Sequence, residues 1–429
     1  MVEIVVLAGG AGTRMHTSRP KVIHQLCGKP MLHWIVEESL KITPLVQVVV
    51  GHKRELVEES LTPYPIDIAV QDIENYPGSG GALMAARLRG DKILVLNGDI
   101  PLITADDLAP FLEVEGDVVV GVFDVPPPHS YGRIIRDREG YIVKIVEAKD
   151  CTPDQLQIAT SNSGVYLFKR EVVERLLPRI TNNNAQREYY VTDLIELAYR
   201  EGYKVVGVEV EEERFQGVNN LVELAAAETK LCRRIKEKWM REGVIIRLPE
   251  TVYIDAYTTF KGECEVEPGA VIKRSKIVNS RIKAHSVVEE GEIIDSEIGP
   301  MARIRPGSKI VESRIGNFVE VKNSVLEGVK AGHLSYLGDS EIGEGTNIGA
   351  GTITCNYDGK RKYRTKIGKN VFVGSDVKLI APVEIADEVI LAAGSVINRD
   401  IPRGSLAIGR PPLRIVKNFF YRFFNSKKR

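Results

Sequence analysis

Aliphatic residues recur at every sixth position near the end of this 429-residue chain: Ile367, Val373, Leu379, Ile385, Leu391 and Ile397. Ile298, Ile304 and Ile310 keep the same period, as do Ile342 and Ile348. Small residues often follow, as at Gly299, Gly343, Gly349, Gly368, Gly374, Ala386 and Ala392. A helix face repeats at about 3.6 residues and a strand face at about 2, so neither produces this spacing. A parallel β-helix does. Each hexad is then a short strand plus a turn, with one aliphatic side chain stacked inward on the coil above. The ladder breaks at Asn356-Tyr357-Asp358-Gly359-Lys360-Arg361-Lys362-Tyr363-Arg364, a charged segment that must loop outward. Basic loops on a repeat scaffold are where binding is usually built.

The chain ahead of the hexads has a different character. Residues 1–219 alternate β-rich apolar runs with amphipathic stretches, the βαβ pattern of an α/β fold with a mostly parallel sheet. Strands are predicted at residues 4–7, 46–50, 68–70, 93–96, 118–122 and 205–208, and helices at 32–40, 82–88 and 192–200. Asn220-Leu221-Val222-Glu223 opens a long helix with a capping-box-like start, and Gly243 stops it. A chain of this length exceeds one ordinary core. The predicted organisation is a first domain over 1–219, a linker helix over 220–243 and a repeat domain with a C-terminal tail over 244–429.

Within the first domain, Ile4-Val5-Val6-Leu7-Ala8 reads as a buried strand running into Gly9-Gly10-Ala11-Gly12-Thr13-Arg14-Met15, with Pro20-Lys21 beyond. Such a glycine-rich segment is either a plain turn or a phosphate cradle, in which backbone N–H groups approach an anion closely and cations such as Arg14 and Lys21 assist. It is not the Rossmann G-x-G-x-x-G, because Met15 stands where the third glycine belongs, nor a Walker A loop. Asp99 follows a strand end and is either a turn aspartate or a metal ligand. In Asn219-Asn220, Asn220 is expected to cap the helix and Asn219 to face the metal. His333, in Lys330-Ala331-Gly332-His333-Leu334-Ser335-Tyr336-Leu337-Gly338-Asp339, is either a structural histidine, the commoner case for a lone imidazole, or a base near neutral pH. His16, His24, His33, His52, His129 and His285 have no comparable context.

Composition narrows the partners. Lysine plus arginine total 58 and aspartate plus glutamate 58, so no global basic field favours nucleic acid. Five scattered cysteines without a C-x-x-C pair point to a reducing, cytoplasmic setting without structural zinc. No apolar run approaches the roughly 18 residues of a membrane span. The aromatic segment Asn418-Phe419-Phe420-Tyr421-Arg422-Phe423-Phe424, followed by Lys427-Lys428-Arg429, reads as a terminal helix docked on its own protein rather than a membrane contact.

The string from Leu7 to Met15, with Pro20-Lys21-Val22, resembles the signature of sugar-phosphate nucleotidyltransferases. Nearly the whole chain is similar to the family of bifunctional uridyltransferase/acetyltransferase enzymes that make UDP-N-acetylglucosamine. That resemblance implies a Rossmann-like nucleotidyltransferase domain and a left-handed parallel β-helix that assembles as a homotrimer. It implies acetyl transfer from acetyl-CoA to glucosamine 1-phosphate, then uridylyl transfer from UTP to N-acetylglucosamine 1-phosphate with Mg2+. For the first reaction site it implies Arg14 and Lys21 as catalytic, Leu7, Ala8, Gly10, Gln71, Gly78 and Ser79 at UTP, and Asp99 and Asn219 at the metal. Gly132, Glu147, Asn162 and Thr192 fall at the sugar. For the second it implies His333 as base, with Arg305, Lys322, Tyr336, Asn347 and Lys362 at the sugar phosphate. Ala350, Asn356, Tyr357, Ser375, Ala393 and Arg410 fall at acetyl-CoA.

Two departures stand in the first site. The family usually has Gly-Thr-Gly-His-Ala where this chain has Gly78-Ser79-Gly80-Gly81-Ala82, and tyrosine where Asn97 stands. They keep in play an enzyme for a different sugar 1-phosphate, and a non-catalytic scaffold subunit is the second rival, since the same pair of domains also occurs in regulatory scaffolds. Retention of Arg14, Lys21, Asp99 and His333 together argues against the scaffold.

Overall fold

A computed structural model describes residues 1–425, and the chain folds as two compact units, Met1–Cys232 and Arg233–Arg429. The first unit is built on a twisted sheet whose main path runs Val205–Glu209, Val118–Asp124, Thr160–Lys169, Lys92–Asn97, Val2–Ala8, Val46–Val50, Asp67–Val70. Along that path only Thr160–Lys169 runs antiparallel to its neighbours. Successive residues of a strand enter opposite cores: Ile4 and Val6 pack on one face, Val5 on the other. Both faces are thus covered, as near-continuous apolar strands require. The chain leaves Val2–Ala8 on one side for Val46–Val50, and returns on the other side as Lys92–Asn97. That reversal is the place where open α/β sheets bind ligands, beyond the carboxyl ends of the strands.

Every predicted strand of the sheet is present, with ends shifted by at most two residues. The helix expected over 82–88 instead occupies Ser79–Ala85. Gly78 and Gly80 let it start hard against Tyr189, because a Cβ on Gly80 would stand 3.0 Å from the Tyr189 carbonyl oxygen. The Thr160–Lys169 strand and the Arg133–Arg136/Ile142–Val146 hairpin are additional elements. Thr160–Lys169 hides from periodicity because its pairing is broken by an irregularity between Asn162 and Tyr166.

The linker helix spans Leu221–Arg241. Asn220 caps it, its Oδ1 accepting the N–H groups of Val222 at 3.0 Å and Glu223 at 2.9 Å. Glu223 accepts the N–H of Asn219, the residue before the cap, at 2.6 Å and the Asn220 Nδ2 at 2.7 Å, so it ties down the entry to the helix without forming the reciprocal box the sequence suggested.

The second unit is a parallel β-helix with three faces, sheets of ten, nine and eight short strands. All eleven hexad aliphatics named above are buried and belong to one continuous core. The six-residue period is regular only toward the end, where Phe372 pairs with Ile390 and Lys378 with Val396, eighteen residues apart. Earlier coils are shorter: Arg281 pairs with Glu297 and Glu297 with Arg314, sixteen and seventeen residues apart. The missing residues come out of the corners. There single residues turn the chain with positive φ, stacked in columns such as Asn279, Asp295, Glu312 and Gly328. Glycine takes that conformation freely, and other residues take it against Cβ strain.

The C-terminal segment does form a helix, Phe419–Asn425, and among the described residues its rings belong to none of the buried cores. Phe419, Phe420, Tyr421, Phe423 and Phe424 are all more than half exposed. Its aromatic rings pack on one another instead, Phe420 on Phe424 at 4.6 Å. Lys427, Lys428 and Arg429 lie outside the described residues. No helix among the described residues is long and apolar enough to cross a membrane.

Candidate active sites

Two adjoining cavities open at the strand ends of the first unit. The larger, about 530 Å³, is lined by Leu7, Ala8, Gly10, Arg14, Lys21, Gln71, Gly78 and Ser79, all expected at UTP or in catalysis. The smaller, about 250 Å³, is lined by Gly132, Glu147, Asn162 and Thr192, the residues expected at the sugar. Both cavities share Asp99 and Asn219 as walls. Residues from opposite ends of the unit therefore meet where a donor and an acceptor would meet.

The centre is a knot of charge. Lys21 Nζ donates to Asp99 Oδ2 at 2.5 Å and to Asn219 Oδ1 at 3.3 Å, and Arg14 Nη2 donates to the same Asn219 oxygen at 2.8 Å. A carboxylate and an amide oxygen thus converge on one cationic point, an all-oxygen donor pair of the kind hard divalent ions take. The backbone sets this up: the Asp99 carbonyl accepts the Val218 N–H at 2.8 Å, delivering Asn219 beside it. Gly12 serves the same end. Its φ is 61°, and a Cβ there would stand 2.6 Å from Lys21 Cβ.

Gln71 is buried, and its Nε2 donates to the carbonyls of Tyr76 and Gly78, both at 2.9 Å. Its Oε1 lies against Gly9, where a Cβ would come within 2.2 Å. Ser79 Oγ accepts the Val191 N–H at 3.0 Å and keeps its own proton to donate. The Gly81 departure has a physical reason: a Cβ there would lie 1.9 Å from the Tyr76 carbonyl oxygen. Tyr76 occupies the space a side chain would need, its ring 5.7 Å from that of Tyr189.

At the sugar cavity, burial pushes the Glu147 carboxyl up, against a hydrogen bond from Thr192 Oγ1 at 3.3 Å, and nearby Asp150 adds to the rise. Asn162 takes the Gly164 N–H on Oδ1 at 3.0 Å and donates from Nδ2 to the Tyr166 hydroxyl at 2.6 Å. Tyr166, absent from the sequence-based set, lines this cavity and supplies an aromatic ring on the strand beside Asn97. His52 and Glu188 line the larger cavity and were also missed. Nothing in the sequence around His52 separates it from a surface residue.

On the β-helix the predicted residues fall on two edges. Asn317 pairs with His333, and extending the Lys330–Asn347 pairing by three residues sets His333 beside Ala350. The Asn347–Phe372 and Phe372–Ile390 pairings carry the same position on to Ser375 and Ala393. Arg410 reaches back to donate to the Ala393 carbonyl. The His333 imidazole is exposed. Among the described residues no hydrogen bond takes the Ala350 N–H, while its neighbours Gly349 and Gly351 both donate to the backbone.

The second edge gathers cations. Arg305 follows the Arg303–Ile304 strand, and Lys322 pairs with Gly338 one coil later. Lys362 arrives on the outward loop, held by a Tyr357–Lys362 bridge. The Lys322 ammonium beside Lys362 pushes the latter's pKa down. Tyr336 lies over Gly338, where a Cβ would meet its hydroxyl at 2.4 Å. Burial opposes ionisation of Asp339, but hydrogen bonds from Asn323 and Asn356 and the Lys322 and Lys362 charges outweigh it and hold its carboxyl low. Asn356 is buried and donates to Asp339, so its side chain serves this edge rather than the His333 column. Tyr357 bonds the Gly359 carbonyl at 2.6 Å and stays exposed. Asn347 pairs with Lys330 on the strand that leads to Ala350.

Comparison with known proteins follows the same division. A model of the MobA-like NTP transferase domain matches residues 4–156, and one of the bacterial transferase hexapeptide (six repeats) matches residues 364–399. A bifunctional protein GlmU from a Nitratiruptor species is 53% identical over 427 residues, 99% of either chain. Its counterpart from a Sulfurovum species is 50% identical over 429 residues, 99% of this chain and 100% of that one. The Wolinella succinogenes counterpart is 51% identical over 430 residues, spanning both chains fully.

Proposed function

This chain belongs to the bifunctional GlmU family, and from that membership we propose which of its residues carry each reaction. The enzyme transfers an acetyl group from acetyl-CoA to glucosamine 1-phosphate, then a uridylyl group from UTP to the N-acetylglucosamine 1-phosphate formed, releasing pyrophosphate. The observation that carries the assignment is the pair of cavities meeting at Asp99 and Asn219.

In uridylyl transfer, UTP occupies the larger cavity, its base against Gln71 and Ser79 and its phosphates over Gly10. Arg14 and Lys21 neutralise the triphosphate and the departing pyrophosphate. Glu147, Asn162 and Thr192 hold the sugar so that its phosphate oxygen faces the α-phosphorus in line with the leaving group. The family uses a divalent metal; Mg2+ fits Asp99 and Asn219, and when bound it supplies charge neutralisation between the two phosphates. Tyr166 takes over the wall that an aromatic at position 97 would form.

In acetyl transfer, Arg305, Lys322 and Lys362 clamp the sugar phosphate, arginine through its planar fork. His333 Nε2 or Nδ1 removes a proton from the sugar amine as its nitrogen attacks the thioester carbonyl. The Ala350 N–H stabilises the resulting oxyanion, and coenzyme A leaves as its thiol. Ser375, Ala393 and Arg410 continue the column along which the coenzyme extends. Exposed Met301, Phe318 and Leu334 stack beside that column and support a homotrimer with the site at the subunit contact. A cytoplasmic location accords with its scattered cysteines.

The test separates the halves. Asp99→Ala lowers pyrophosphate release from UTP and N-acetylglucosamine 1-phosphate by at least about a thousandfold and leaves acetyl transfer intact. His333→Ala lowers thiol release from acetyl-CoA by about a hundredfold to ten-thousandfold and spares the first reaction. Loss of both reactions from either substitution, with folding retained, contradicts separate sites.

A further inference from the structure

Cys27 and Gly28 form the turn between the Gln25–Leu26 and Lys29–Pro30 strands, with φ of 49° and 77°. Two positive φ values in a two-residue hairpin loop are the type I′ arrangement, whose first position ordinarily holds asparagine, aspartate or glycine. A cysteine there is out of place, and the linker helix explains what it meets. Glu228 Oε1 accepts the Cys27 N–H at 2.9 Å, and the Glu228 carbonyl lies 3.6 Å from Cys27 Sγ. One helical turn on, Cys232 Sγ lies 2.7 Å from Cys27 Sγ. The two residues are 205 apart in sequence, and both belong to the first compact unit.

We propose that Cys27 and Cys232 are a site of reversible disulfide formation. Glu228 and the two thiols present three ligand atoms within 4.8 Å of one another, so a metal is the rival. Two thiolates on one tetrahedral zinc, with Zn–S about 2.3 Å, stand roughly 3.7 Å apart, whereas a disulfide closes to about 2.05 Å. The observed approach already lies inside the zinc spacing. The bond would join the segment following Lys21 to the helix following Asn219, the two segments whose side chains meet at Asp99.

Cys27 is buried and Cys232 partly exposed, which orders the chemistry. The Cys232 thiolate attacks a low-molecular-weight disulfide, breaking its S–S bond, forming a mixed disulfide and releasing one small thiolate. The Cys27 thiolate then attacks the Cys232 sulfur, releasing the second. The two cysteines are oxidised by two electrons, the small disulfide is reduced, and the two protons end on the released thiols. Excess small thiol reverses both steps. In a reducing compartment such a pair is a redox-responsive element rather than a structural staple.

The test incubates the native full-length protein with oxidised glutathione, quenches with alkylating agent and maps peptides by mass spectrometry. The wild type should lose two of its five titratable thiols and yield one peptide pair linked through Cys27 and Cys232, restored by dithiothreitol. Cys27→Ser should instead retain glutathione on Cys232, and Cys232→Ser should leave Cys27 reduced. Heat inactivation of uridylyl transfer should slow in the oxidised wild type and not in Cys232→Ser. Stable glutathione adducts on the wild type without the link overturn the proposal. So does persistence of all five thiols, or stoichiometric zinc held by these residues in the purified protein.

Discussion

Asp193 adjoins Thr192 at the sugar cavity, and its carboxyl is pushed up to about 6, first by burial and then by the negative charges of Glu196, Glu147 and Asp150. An acid whose pKa is higher folded than unfolded binds more protons in the native state, so ionising it opposes folding. The penalty is absent below the ordinary aspartate value of about 3.9, grows as pH rises to about 6, and is constant above. Asp193→Asn removes it. We expect the variant to be more stable than wild type by about 1–2 kcal/mol at pH 7.5, with the difference vanishing below about pH 4. Urea unfolding of the first unit across that range measures it. Asp193 is also where sequence reading stopped short. Thr192 was legible through its motif, but the acidic cluster forms only when the loop after Val146 folds beside the Asp193–Arg200 helix. The Cys27–Cys232 approach is illegible for the same reason, since the contact exists only in space.

The strands and corners of the β-helix show what periodicity can and cannot read. One aliphatic per strand was visible because each is buried against the coil above, as Ile304 on Val321. Coil length was not visible, because it depends on corner residues that accept positive φ whatever their polarity: Glu290, Asp295, Glu312 and Asn323 all do so. The two roles predict opposite tolerance. Ile310 is fully buried, and Ile310→Ala should cost about 2–5 kcal/mol through lost transfer energy and a residual cavity. Glu312, two residues on, has φ of 47° and a side chain outside the core. Glu312→Gly relieves Cβ strain while adding freedom to the unfolded chain, so stability should stay within about 1 kcal/mol of wild type. Denaturant midpoints of the β-helix unit compare the two.

At the scale of the whole molecule, the two reactions should differ in their dependence on assembly. Both cavities of the first site are lined by residues of a single unit of a single chain. The residues proposed for acetyl transfer lie on two edges of the β-helix, with the cations on one and the His333 column, its imidazole open to solvent, on the other. Met301, Phe318 and Leu334 are 42%, 57% and 60% exposed in consecutive coils beside that column. Desolvating such a stripe at a contact between copies stabilises the assembly at roughly 25 cal/mol per Å² of apolar surface and walls the imidazole from water. A charge in the middle of the stripe must then be buried unpaired or prevent association. Phe318→Asp should therefore shift the protein toward smaller species in sedimentation velocity and reduce acetyl transfer by at least about a hundredfold. Uridylyl transfer should remain within about twofold, because its residues never leave one subunit. Equal loss of both activities, or full acetyl transfer from a dissociated protein, would place the second site within a single chain and leave the exposed stripe without a role.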